Sequence, residues 1–135
     1  MEQSGFSQDF AKLIENILTT EKETSTHLKI LEGLKDIAPD IEGYIGEFVY
    51  GDVYSRTGLD NKQRALVTIS SLATQGIEPQ LELHLNMGLT IGLTPTEIIE
   101  CIVHLIPYTG FPQVINALTV AEKVFAQRNV SIKKI

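Results

Sequence analysis

The chain of 135 residues carries 11 Lys and Arg against 17 Asp and Glu, which gives a formal net charge of −6. With 43% hydrophobic and 21% charged residues, it has the composition of one globular domain that buries its own core. The negative charge disfavours nucleic acid and anionic lipid as partners. A single cysteine, Cys101, excludes an internal disulfide and a multi-cysteine zinc site.

Apolar residues recur at steps of three and four along most of the chain, which predicts helices and no strands. The predicted helices cover about residues 6–18, 26–37, 40–54, 61–75, 79–91, 95–108 and 111–128. Asp60 with Gln63 is the expected capping box of the fourth helix, and Thr94 with Glu97 is that of the sixth. Gly76 is expected to end the fourth helix, and Gly92 the fifth.

No repeat, linker or low-complexity segment divides the sequence, so we predict one all-α domain over residues 1–135, a bundle of six to seven helices. The sixth helix is apolar on more than one face, through Ile98, Ile99, Ile102, Val103, Leu105 and Ile106. A chain of this size has few interior positions for so many apolar side chains. We therefore expect a second buried face and hence a homo-oligomer.

The N-terminal residues and the most apolar stretch both bear on localisation. The first ten residues, MEQSGFSQDF, lack the basic and apolar regions of a signal peptide. The stretch IIECIVHLIP is too short to cross a bilayer. We therefore expect a cytoplasmic protein that does not bind a membrane.

Two histidines interrupt apolar helices and are the first candidates for chemistry. His84 lies in the fifth helix, one turn after Gln80, and His104 lies in the sixth, one turn before Tyr108. Helices joined by a short loop commonly pack antiparallel, which would let His84 and His104 share a site. Each imidazole can equally be a hydrogen-bonded structural residue, because buried polar groups need partners.

The sequence offers little for metal or thiol chemistry. It contains no His-Glu-x-x-His, Cys-x-x-Cys or glycine-rich phosphate motif, so we expect no metal and no cofactor. Cys101 is expected to be a buried small hydrophobic residue. A catalytic thiolate would need a lowered pKa, which nothing in the sequence indicates.

Residues 51–60, GDVYSRTGLD, resemble the loop before the core helix of the carboxymuconolactone decarboxylase family, and RALVTI at 64–69 resembles the start of that helix. Residues 80–118 resemble the rest of the family signature. In chain order they contain a helix with an internal His, then a Gly-Leu-Thr-Pro cap that begins the next helix. That helix ends in Tyr-x-Gly, and the last helix begins with Phe-Pro. The resemblance covers about residues 40–127 and leaves residues 1–38 as an N-terminal helical extension.

The resemblance implies an alkylhydroperoxidase D-like fold, a homotrimer or homohexamer, and one of two activities. One branch decarboxylates a carboxylated muconolactone without a metal or an organic cofactor. The other uses a Cys-x-x-Cys pair followed by a His to reduce peroxides or disulfides. Here the two cysteine positions hold Ile77 and Gln80, and the core-helix acid of that branch falls on Ala65. Peroxidase or peroxiredoxin activity is therefore disfavoured.

The chain also departs from the decarboxylase branch. That branch usually has Arg two residues before the helical His, where this chain has Glu82, and Gln at the position of His104. The loop keeps an acid, Asp52, and an arginine, Arg56. The chemistry can therefore be retained while the substrate differs.

We expect a cofactor-free lyase that acts on a small carboxylated lactone or a related enolisable acid. His84 is the candidate general acid and base. His104 and Tyr108 are candidate hydrogen-bond donors to the developing enolate oxygen. The residues expected to bind substrate are Arg56, Gln80 and Asp52, with Arg56 holding the carboxylate and Gln80 orienting His84. The alternative is a non-catalytic oligomeric module of the same fold that binds a small molecule or a partner.

Overall fold

A computed structural model describes residues 32–132 of the chain. These residues form helices and turns and contain no strand, which confirms the all-α prediction. The elements are α1 (Ile41–Gly43), a π-helical segment (Tyr44–Val53), α2 (Asn61–Gln75), α3 (Glu78–Thr90), α4 (Pro95–Val103), α5 (Ile106–Thr109) and α6 (Phe111–Gln127). The predicted helix over 6–18 and the first half of that over 26–37 lie outside the described residues.

The chain divides into two compact units, Met1–Asn61 and Lys62–Ile135. None of the helices within residues 32–132 combines the length and apolar character that a membrane crossing requires. The second unit contains nearly all of α2 and the whole of α3 to α6.

The predicted third helix is present, but most of it is a π-helix. Its hydrogen bonds run from residue i+5 back to residue i, as between the Tyr54 N–H and the Val49 carbonyl at 2.8 Å. The wider turn changes which residues share a face. Tyr50 and Tyr54 are buried, whereas Tyr44 and Phe48 are 62% and 60% exposed.

The core of the second unit forms around α6. This helix packs against α3, α4 and α5. Its buried face follows the helical period, and consists of Val114, Ala117, Ala121, Val124 and Phe125. From the other helices the core receives Ile69, Ala73, Leu81, Leu85, Leu93, Ile98 and Ile102.

One close approach in this core requires a glycine. A Cβ atom on Gly88 of α3 would lie 2.9 Å from Cδ1 of Leu93 and 3.6 Å from Cδ1 of Ile69. Leu93 and Ile69 are both buried, so neither side chain has free space beside it. Gly88 therefore lets the end of α3 approach the loop that precedes α4.

The predicted sixth helix is interrupted, which corrects the expectation of one helix over 95–108. The α-helix ends at Val103, His104 and Leu105 form a turn, and α5 begins at Ile106. Pro107 explains the break, because it has no N–H to donate to the Val103 carbonyl and its ring would clash with that carbonyl. His104 therefore lies at the C-terminal end of α4 rather than inside a helix.

Most of the apolar side chains of the predicted sixth helix pack inside the second unit. Ile98 and Ile102 are fully buried, and Ile99, Leu105 and Ile106 pack against the core while partly buried. The exposed apolar surface lies further along the chain, at Tyr108, Phe111 and Ile115, with exposed fractions of 75%, 63% and 56%. The expected homo-oligomer stays a prediction. The exposed side chains of these three residues are the observation that supports it.

The predicted capping box of Thr94 and Glu97 is confirmed. The Glu97 N–H donates to Oγ1 of Thr94 at 3.1 Å, and the Thr94 N–H donates to Oε1 of Glu97 at 2.9 Å. The bond from the Thr94 N–H holds the pKa of the Glu97 carboxyl below its ordinary value. The ionised carboxylate thus stabilises the folded state.

We predict that Thr94→Ala lowers the free energy of unfolding by about 1 kcal/mol at neutral pH, because α4 loses its cap. The pKa of Glu97 is lower in the folded state, so its contribution is complete above its ordinary value of about 4.5 and disappears as the pH falls below it. Urea unfolding of both proteins from pH 7 to pH 3 measures this. The Thr94 N–H belongs to the backbone and remains in Thr94→Ala, so both proteins should lose the Glu97 contribution in acid. A Thr94→Ala protein as stable as wild type at pH 7 would contradict the account.

Candidate functional site

α3 carries His84 and Gln80 on one face. His84 is half-buried in the middle of the helix, and Gln80 is exposed one turn earlier. The role of His84 as general acid and base stays a prediction.

Glu82 lies two residues before His84 and so faces another side of the helix. Its Oε2 is 3.3 Å from Nζ of Lys123 on α6, and its side chain is only 16% exposed. The negative charge that distinguishes this chain from the resembled decarboxylase branch is therefore paired with a cation. This pairing reduces its repulsion toward an anionic ligand.

A buried amide fixes α3 against the end of α6. Asn86 is 2% exposed, and its Nδ2 donates to the Glu82 carbonyl at 3.0 Å. Arg128 donates from Nη1 to Oδ1 of Asn86 and from Nη2 to Oγ1 of Thr90, each at 3.2 Å. The two bonds from Arg128 therefore connect the part of α3 that follows His84 to the end of α6.

The structure brings His104 and Tyr108 together. Their ring centroids are 5.6 Å apart with the planes inclined by 45°. Both side chains are exposed, Tyr108 at 75%. The break at Pro107 places the two rings side by side at the surface, where both can donate hydrogen bonds to a ligand.

Asp52 and Arg56, the two loop residues predicted to bind substrate, belong to the first unit. Asp52 is exposed near the end of the π-helical segment, and Arg56 is exposed in the turns that follow it. His84, Gln80 and Tyr108 belong to the second unit. The binding roles of Asp52 and Arg56 stay predictions.

The sequence reasoning missed a pair of tyrosines in the first unit. The rings of Tyr50 and Tyr54 are 5.0 Å apart, and both side chains are buried. Burial, reinforced by the neighbouring Tyr54, raises the pKa of Tyr50 far above its ordinary value. Tyr50 therefore stays protonated at any physiological pH. The two tyrosines are four residues apart, a spacing that also places side chains on one face of an α-helix, so the sequence spacing could have found this pair.

Cys101 lies half-buried on α4 and packs against the core of the second unit. Its Sγ is 3.2 Å from Oγ of Ser70 and 3.6 Å from the Leu66 carbonyl oxygen, both on α2. Burial raises the pKa of the thiol, although the bond to Ser70 opposes this. The protonated form is therefore favoured, which is the opposite of what a reactive thiolate needs.

Within residues 32–132, no three His, Cys, Asp or Glu side chains converge in an arrangement that could hold a metal ion. The second unit carries the imidazoles of His84 and His104 and the phenol of Tyr108. Such groups transfer protons and donate hydrogen bonds.

Residues 32–132 thus form helices without strands, with His84 on α3 and His104 at the end of α4. The family model "Carboxymuconolactone decarboxylase family" matches residues 39–123. The chain belongs to the carboxymuconolactone decarboxylase family.

Three similar proteins bear on its function. The 4-carboxymuconolactone decarboxylase of Acinetobacter baylyi is 37% identical over 105 residues, which are 78% of each chain. An uncharacterized 15.0 kDa protein of Paracoccus denitrificans is 30% identical over 128 residues, 89% of this chain and 96% of the relative. Nitrosuccinic acid decarboxylase npaB of Metarhizium robertsii is 38% identical over 79 residues, 58% of this chain and 55% of the relative. Two of the three are decarboxylases, which supports a decarboxylase-type function.

We predict that the thiol of Cys101 reacts slowly with iodoacetamide at pH 8 in the folded protein and rapidly in urea. The raised pKa and partial burial both reduce the reactive thiolate in the folded state. The rate is followed by mass spectrometry. Peroxide consumption by native and alkylated protein gives the second readout. Equal thiol rates in the two states, or peroxide consumption lost on alkylation, would contradict this reading.

Proposed function

We propose that the protein is a cofactor-free decarboxylase of a small carboxylated lactone or a related enolisable acid, with His84 as its general acid and base. The observation that carries the proposal is the similarity to two decarboxylases. The placement of the histidines supports the choice of residue, because His84 is half-buried whereas His104 is exposed.

The proposed reaction needs only groups that the chain provides. The bond between the substrate carbon and its carboxylate breaks, carbon dioxide leaves, and the electron pair remains as a dienolate. His104 and Tyr108 donate hydrogen bonds to the enolate oxygen as its charge develops. His84, in its protonated form, then returns a proton to carbon. Imidazole suits this step because it titrates near neutral pH.

The remaining predicted roles complete the proposal. Arg56 would hold a substrate carboxylate, since a guanidinium binds a carboxylate through two parallel hydrogen bonds. Gln80, one turn before His84, would orient the imidazole, and Asp52 would contact the substrate. These three roles are drawn from the sequence.

Self-assembly into a homotrimer or homohexamer is part of the same proposal. The exposed apolar side chains of Phe111 and Ile115 lie one turn apart on α6, beside the exposed Tyr108. An apolar face of this kind is commonly buried between subunits. The alternative is a non-catalytic oligomeric module of the same fold. It would assemble through the same apolar face and would not need a residue that transfers protons.

We predict that wild-type protein releases carbon dioxide from 4-carboxymuconolactone or from nitrosuccinic acid, the two substrate types that the relatives' names indicate. His84→Ala should lower the rate by roughly 10²–10⁴-fold, the usual contribution of a general acid or base. Release of labelled carbon dioxide from carboxyl-labelled substrate measures the rate.

Glu122→Gln is the matched control, because Glu122 is an exposed residue of α6. It should retain the wild-type rate. Thermal unfolding of each variant establishes that it is folded. A folded His84→Ala protein with full turnover would eliminate His84 as the acid and base. No turnover of either compound by wild type would favour the non-catalytic module or a different enolisable acid.

A further inference from the structure

The short helix α5 carries Tyr108 but is too short to fix its direction alone. A helix of four residues, Ile106–Thr109, forms only one turn, which is unstable without tertiary contacts. Its orientation therefore depends on its backbone bonds to the preceding turn and on the side chains that anchor it. Tyr108 is 75% exposed, so it does not anchor the helix itself.

Two residues of α5 point toward the rest of the unit. Ile106 and Thr109 are three positions apart and so share a face, opposite to Tyr108. Ile106 packs against the core. Oγ1 of Thr109 is 3.0 Å from Oγ1 of Thr74 on α2. One apolar and one polar anchor thus fix the rotation of α5 about its axis.

Thr74 also accepts a hydrogen bond from a side chain of α6. Nε2 of Gln113 donates to the Thr74 carbonyl oxygen at 3.2 Å. The three side chains join the end of α2, the end of α5 and the first turn of α6. We call Thr74, Thr109 and Gln113 the polar clamp.

The residues of the polar clamp lie on both sides of the turn at Gly110, where the chain changes direction after α5. Gly110 has φ +96° and ψ 161°, a backbone conformation that disfavours other residues, and links α5 to α6. The N–H groups of Tyr108 and Thr109 also donate to the Leu105 carbonyl, at 2.9 and 2.8 Å. The Thr74–Thr109 hydrogen bond adds a side-chain connection from α5 to α2.

We propose that Thr109, Thr74 and Gln113 are positioning residues, whose clamp sets the direction of Tyr108 and with it the spacing of the His104–Tyr108 pair. The consequence for catalysis rests on the proposed function, in which Tyr108 donates to the enolate oxygen. The consequence for the ring pair does not depend on it.

The first test measures the ring pair by proton NMR. An aromatic ring displaces the resonances of protons held near it, so the His104 Cε1 proton reports its distance from the Tyr108 ring. Its signal is assigned from its absence in His104→Gln, and Tyr108→Leu gives the position without the ring. Thr109→Val, which keeps the branched shape without the hydroxyl, should move the resonance at least halfway toward that position. Thr109→Ser should leave it near the wild-type value.

Thr119→Val is the matched control. Thr119 is an exposed threonine of α6 whose hydroxyl bonds to the Ile115 carbonyl of its own helix at 2.9 Å. Its removal should leave the His104 resonance unchanged. Thr74→Val removes the same clamp bond from the other side, so it replaces Thr109→Val if that variant does not fold. A wild-type resonance position in a folded Thr109→Val or Thr74→Val protein would overturn the proposal.

The second test measures turnover. Thr109→Val should lower kcat by roughly 10- to 10²-fold, the effect of misplacing a catalytic group, with little change in KM. Thr109→Ser should recover most of the wild-type kcat. An unchanged kcat alongside a displaced His104 resonance would overturn the catalytic part of the proposal. Absence of turnover in wild type would defeat the proposed function, and the NMR comparison would still decide whether the clamp positions Tyr108.

Discussion

The second unit depends on the buried face of α6. Its two small residues, Ala117 and Ala121, let neighbouring helices approach, while Val114, Val124 and Phe125 fill the space at either end. Because α3, α4 and α5 all pack against this helix, the candidate histidine on α3 and the His104–Tyr108 pair are placed relative to one frame. Packing on α6 therefore fixes where each of these helices lies within the second unit.

Much of the fold was predictable because its signals are local. The Thr94–Glu97 capping box, the long apolar period of α6 and the glycine after α2 each act within one or two turns of chain, and the structure has all three. The π-helical segment was not predictable from an apolar pattern, because the same residues fit a period of 3.6. The break before Ile106 could have been found, since Pro107 is visible in the sequence and disfavours a continuous helix.

The candidate site was predictable only in part, because its contacts join distant residues. Spacing placed Tyr108 one turn after His104, and the two rings are neighbours. No spacing rule relates Glu82 to Lys123, Ser70 to Cys101 or Thr74 to Thr109, which are 41, 31 and 35 positions apart. These contacts change the interpretation of the site. They pair the charge of Glu82 with a cation, place the Ser70 hydroxyl beside the thiol of Cys101 and anchor the helix that carries Tyr108.

The central claim is that His84 delivers a proton to the carbanion left by decarboxylation. Turnover in D₂O, with the product analysed by NMR before it can exchange, tests this directly. A positioned acid delivers from one side, so the account predicts one deuterium at a single carbon in a single configuration. The small residual product of His84→Ala should carry deuterium in both configurations, because solvent then protonates the free enolate. Wild-type product with both configurations, or an unchanged single configuration from His84→Ala, would contradict the account.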